Sequence, residues 1–168
     1  MHRTYKGIGK NIRKKEKECD KAVRARQLFK DGYNCCQSVF CAFTEHTGMD
    51  FESALKISSS FGGGMGRLRE VCGAVTAMFM VAGLKYGYVN KDDLEKKAEH
   101  YALIQSLANE FKQKHNSIIC RELLELDEDI SVPIPDKRDD KYYEQRPCDD
   151  LVASAADIIN NLIMEDKE

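Results

Sequence analysis

The chain has 168 residues, long enough for one domain to bury a sizeable core without disulfides or metal to hold it together. Lys and Arg number 26 against 28 Asp and Glu, and the resulting net charge of -2 excludes a generally basic nucleic-acid binder. Seven cysteines are too few for a secreted disulfide scaffold of this length.

Positive charge is concentrated at the start, where Arg3, Lys6, Lys10, Arg13, Lys14, Lys15 and Lys17 fall within residues 1–17. No apolar segment follows them. They read as a solvated basic arm, with a polyanion-binding tail as the alternative, and not as an export signal. Residues 18–168 then read as one helical domain. A first helix is predicted from about Glu16 to Lys30, with Ala22, Val23, Leu28 and Phe29 packing. Gly32 in "DGYN" suits a left-handed terminus, and Asn34 with Gln37 forms a capping box for the next helix. That second helix, to about Glu45, carries Cys36, Val39, Phe40 and Phe43 on one face. Cys35 falls at the edge of this stripe, and Cys41 on the polar side. Asp50 caps a short third helix that ends at Ser58.

The stretch "FGGGMGRLREVCGAVTAMF" joins four glycines to the most apolar part of the chain. A buried central helix is predicted over about 70–86, with Gly73, Ala74, Ala77, Ala82 and Gly83 allowing close neighbours. Its uncharged run, Val71 to Leu84, has 14 residues, too short to span a bilayer. Asn90, Asp92 and Asp93 start a long amphipathic helix to about His115, with Leu94, Ala98, Tyr101, Ile104, Ala108 and Phe111 as its stripe. Ser117 caps a short helix holding Cys120. All three prolines fall within residues 127–147, which read as a surface loop. The last helix, about Cys148 to Met164, buries Leu151, Val152, Ala155, Ile158, Ile159 and Leu162. The expected fold is an all-α, single-domain bundle of about six helices around 70–86.

Against these boundaries, Cys35, Cys72, Cys120 and Cys148 each open a different helix. A helix start offers unpaired N–H groups and about half a positive charge, which favours a thiolate over a thiol. Thiolates are the nucleophiles and the metal ligands. The N–H groups of Gly62, Gly63, Gly64 and Gly66 form a donor-rich loop suited to a sulfide, a thiolate or a small anion. No Lys-Ser or Lys-Thr pair follows this loop and no strand precedes it, so it is not a phosphate-binding P-loop. The absence of C-x-x-C argues against a thioredoxin-like dithiol and a zinc ribbon. Cys19 and Cys41 read as ordinary helix residues, and Cys36 as packing or chemistry. His2, His46, His100 and His115 read as surface histidines, and Arg67 and Arg69 as solvated.

"GYNCCQSV", "FGGGMGRLREVCGAVTA", "CRELL" and "CDDLVASAADII" together resemble, in order, the C_GCAxxG_C_C family of redox-active proteins. The likeness runs from about Ala25 to Ile163. The four cysteines that define the family map onto Cys35, Cys72, Cys120 and Cys148, and Cys36 stands where relatives carry alanine. The element from Cys72 ends in Ala77 where the family has glycine, a change that concerns helix packing. A similar domain occurs in split-Soret cytochromes beside haem, although this chain has no haem motif.

The resemblance implies an iron–sulfur or related metal centre, with the four cysteines as ligands and the glycine N–H groups tuning it. That would make the chain an electron-transfer or redox-sensing protein. A metal-free thiol–disulfide oxidoreductase using Cys35 and Cys72, or Cys35 and Cys36, is one rival, and a structural Cys₄ zinc site is another. Whether it is an enzyme stays open. A cytoplasmic location, a redox partner protein, no nucleic acid and no membrane are expected, and an exposed apolar helix face would support a homodimer.

Overall fold

A computed structural model describes residues 18–126 and 132–166. The basic arm at 1–17, and with it His2, lies outside the described residues. The rest forms ten helical segments in one all-α domain: α1 (Asp20–Lys30), α2 (Cys35–Cys41), α3 (Thr44–Thr47), α4 (Phe51–Ser58), α5 (Gly62–Met65), α6 (Gly73–Tyr86), α7 (Leu94–His115), α8 (Cys120–Leu123), α9 (Asp140–Gln145) and α10 (Cys148–Glu165). Six of these have seven or more residues. No strand occurs among the described residues, and none of their helices is long and apolar enough to cross a membrane.

α6 is the centre. It buries Ala74, Val75, Ala77, Met78, Val81 and Ala82, and α2, α10 and α7 pack around it. Its apolar residues point in every direction, the pattern of a helix enclosed on all sides. α1 lies along α10 and α2, burying Ala22, Ala25, Leu28 and Phe29. Arg26 ties it to the start of α10 through Asp149 at 2.8 Å. Local signals set several helix starts, among them the Asn34–Gln37 capping box, the Asp50 cap on Ser53 N–H and the Asp93 cap on Lys96 N–H.

Several expectations are corrected. Val23 is 54% exposed, because α1 turns Ala25 rather than Val23 toward its neighbours. The helix expected to reach Glu45 stops at Cys41, where Ala42 and Phe43 N–H groups bond three residues back and Phe43 turns fully into the core. Cys41 is buried, not on a polar face, since α4 covers that side of α2. Along α7 only Leu107 and Phe111 are buried, and Leu94 and Tyr101 stand out in solvent, because the first turns run past the end of the bundle. The 127–147 loop contains α9, capped by Asp139, while residues 127–131 lie outside the described residues. His115 is no surface histidine. Its Nε2 lies 2.7 Å from Ser154 Oγ and its ring packs on Phe111, and His46 and His100 are also half-buried.

Candidate functional site

The four predicted cysteines occupy four helix starts. Cys35 is the first residue of α2, behind the Asn34 cap, whose side-chain amide also donates to Ser59 O at 3.1 Å. Cys72 is the N-cap of α6, Cys120 opens α8, and Cys148 opens α10 after Pro147. An isolated antiparallel pairing of Val71 with Ile119 brings two of these starts together. Around it, Cys72 N–H donates to Ile118 O at 2.8 Å and Cys120 N–H to Glu70 O at 2.6 Å. This pairing also delays the start of α6 to Gly73, three residues later than predicted.

The glycine loop is a turn of the wrong hand. Gly63, Gly64, Met65, Gly66 and Arg67 all have positive φ, and so does Arg69. Glycine adopts this conformation freely, whereas each L side chain pays roughly 1–2 kcal/mol. Winding this way passes the chain tightly under the cysteines. A Cβ on Gly64 would lie 2.6 Å from Cys120 Cβ. Gly73, just after Cys72, is equally constrained, since a Cβ there would lie 2.5 Å from Cys35 Sγ. Sequence reasoning placed Gly73 in helix packing, yet its position beside Cys72 was the available signal. Among the loop glycines, the Gly63 N–H favours the Cys35 thiolate. Gly66 N–H is spent on Gly62 O, and Gly64 packs beneath Cys120.

Cys35 is the sulfur most disposed to ionise. The neighbouring Cys72 thiol, then the backbone N–H groups of Gly63, Cys36 and Gly73, favour the thiolate and hold Cys35 below the ordinary thiol range against the cost of burial. The same bond and burial push Cys72 up. Burial raises Cys120, although Arg69 opposes it, and pushes Cys148 up to about 12. The other cysteines stand apart. Cys36 is fully buried with its Sγ 3.8 Å from Met80 Sδ. Cys41 is raised to about 11 by burial, and Cys19 caps α1 through its sulfur. All seven are free thiols.

Cys35, Cys72, Cys120 and Cys148 line one cavity of about 320 Å³, together with Gly62, Gly63 and Gly66. Its wall also carries Arg67, Arg69, Arg138 and Arg146 and a single carboxylate, Asp136. The expectation that Arg67 and Arg69 are solvated is corrected: Arg69 is 6% exposed, and Arg67 bonds Asp136 at 2.8 Å. Arg138, Arg146 and Asp136 come from the segment with no periodic pattern, and no sequence signal linked them to the cysteines. Among the described residues, no three His, Cys, Asp or Glu side chains stand close enough to share one metal ion.

The profile of the family described as "Putative redox-active protein (C_GCAxxG_C_C)" matches residues 33–162. The chain belongs to this family. The matched region of this C_GCAxxG_C_C protein takes in every residue lining the cavity except Phe29. No curated protein and no solved structure matches the chain, so the likeness to split-Soret cytochromes stays an expectation of the sequence.

Proposed function

We propose that this C_GCAxxG_C_C protein carries an iron–sulfur cluster or a related multi-metal centre on Cys35, Cys72, Cys120 and Cys148, for electron transfer or redox sensing. One observation carries the reading: four cysteines from four helix starts surround a single cavity. Four thiolates are the usual ligand set of [2Fe–2S] and [4Fe–4S] centres. A cluster, whose irons each take their own thiolates, suits sulfurs arranged around a space. A lone zinc ion needs them around a point, and that grouping is absent among the described residues. The surplus of arginines over carboxylates on the cavity wall suits an anionic thiolate-ligated centre.

When bound, such a centre supplies a one-electron couple to a redox partner protein. The chain's own residues ligate it and exclude water. The N–H groups of Gly63 and Gly73 at Cys35 sulfur, and Arg69 Nη1 at 3.8 Å from Cys120 Sγ, set its potential by stabilising negative charge on sulfur.

The Cys72 thiol bonded to a Cys35 sulfur disposed to ionise favours one second reading, a metal-free dithiol that cycles to a disulfide. Anaerobic purification, with an ultraviolet–visible spectrum and iron and acid-labile sulfide assays on one sample, separates the two. Brown protein with iron and sulfide, lost on Cys120→Ser or Cys148→Ser, is the expected result. Colourless protein after anaerobic reconstitution sinks the cluster and leaves the Cys35–Cys72 couple.

A further inference from the structure

We propose that the arginine side of the cavity is a binding site for a small carboxylate, paired with the unsatisfied Nε–Nη2 edge of the Arg69 guanidinium beside the cysteines. Arg69 is 6% exposed, yet its Nε has no acceptor. Nη1 faces Cys120 Sγ at 3.8 Å, and Nη2 comes no nearer than 4.0 Å to Asp136, beyond hydrogen-bond distance. Nε and Nη2 form the side of the guanidinium whose two parallel N–H bonds match the two oxygens of a carboxylate. A buried donor without an acceptor is costly, and a charged one more so.

Asp136 does not remove that cost: Arg67 and Arg146 both hold its Oδ2 at 2.8 Å, while Arg69 Nη2 stays 4.0 Å from that oxygen. Arg138 adds a second open donor on the same wall. Its Nη1 is buried without an acceptor, its Nη2 donates to Tyr33 O at 3.2 Å, and its guanidinium lies 4.4 Å from the Phe29 ring centroid. Four arginines thus face a single carboxylate. Phe29, Tyr142, Leu151 and Pro135 add apolar wall to the same cavity, so the occupant pairs a charged head with a small apolar body. The backbone fits this role too. Arg69 is held at φ 62, a strained conformation for an L residue, and strain of this kind clusters at ligand sites.

The site stands whether or not a metal centre fills the cysteine end, and its test is separate. Benzoate is titrated calorimetrically into anaerobically purified full-length protein, both as loaded and after metal removal, with the iron content of each sample measured. Benzamide serves as the neutral analogue. Saturable benzoate binding to both samples is expected, with benzamide weaker by about tenfold or more, the scale of a charge-assisted pair. Arg69→Lys keeps the charge but loses the fork, and should weaken benzoate by a similar factor. Arg138→Gln should weaken it as well, and it carries the test if the Arg69 variant fails to fold. Arg24→Gln, on the exposed face of α1, should change nothing. Four outcomes overturn the proposal: no benzoate binding, equal binding of benzamide, indifference to both arginine variants, or binding confined to the metal-free protein.

Discussion

At Cys35 four donors meet one sulfur, and the effect is local enough to be read in a single thiol. In metal-free protein, iodoacetamide at neutral pH should label Cys35 well ahead of the other six cysteines. Mass spectrometry of tryptic peptides across a pH series would locate its titration below that of an ordinary thiol. Cys72→Ser exchanges the largest contributor for a different donor and should shift that profile, whereas Cys41→Ser, away from the cavity, should not. Cys35 was visible in the sequence because the Asn34–Gln37 box fixes its place at a helix start by short-range bonds alone. Gly63 was legible only as one of four loop glycines able to meet a thiolate; its pairing with Cys35, and the part played by Gly73, arise through the tertiary fold.

At the scale of the element, α6 offers a sign test. Its two glycines differ in what surrounds them, although a helix interior alone would favour alanine at either by roughly 0.5–1 kcal/mol. Gly83 has open space where a Cβ would go, so Gly83→Ala should raise stability by about that amount in urea unfolding. At Gly73 the Cβ would lie 2.5 Å from Cys35 Sγ and 2.8 Å from Phe61 O, so Gly73→Ala should instead cost roughly 1–3 kcal/mol. Helix starts were legible at the Asn34 and Asp50 caps, whereas the start expected at Asn90 falls later, at the Asp93 cap. Helix faces were less so. The stripe with Leu94 and Tyr101 has the right period but stays largely exposed, and Cys41 sits on the side that α4 happens to cover. A period says which residues share a face, and only packing says whether that face is covered.

For the molecule as a whole, residues 132–138 form a strap across the cavity. Arg67 Nε donates to Val132 O at 2.9 Å, and Asp136 links Arg67 with Arg146. These groups are partly exposed, so Asp136→Asn should change global stability by less than about 1 kcal/mol, measured by urea unfolding. The same change should speed proteolytic cleavage within 132–138. The hydrogen bond from Arg67 holds the Asp136 carboxyl below its usual range. The strap's ionic contribution is therefore complete above the ordinary carboxylate range and is lost as the pH falls through that lowered value. Cleavage of the wild type should accelerate only in that acid window.

α1 has its most extensive packing against α10, from the other end of the described chain, and α10 also brings the fourth cysteine. On the ribosome, then, the first helix must wait for the last before its apolar side is covered, and the cavity stays one wall short until α10 emerges. Any cofactor delivery to all four thiols therefore waits on α10, whatever the order in which the first three cysteines come together.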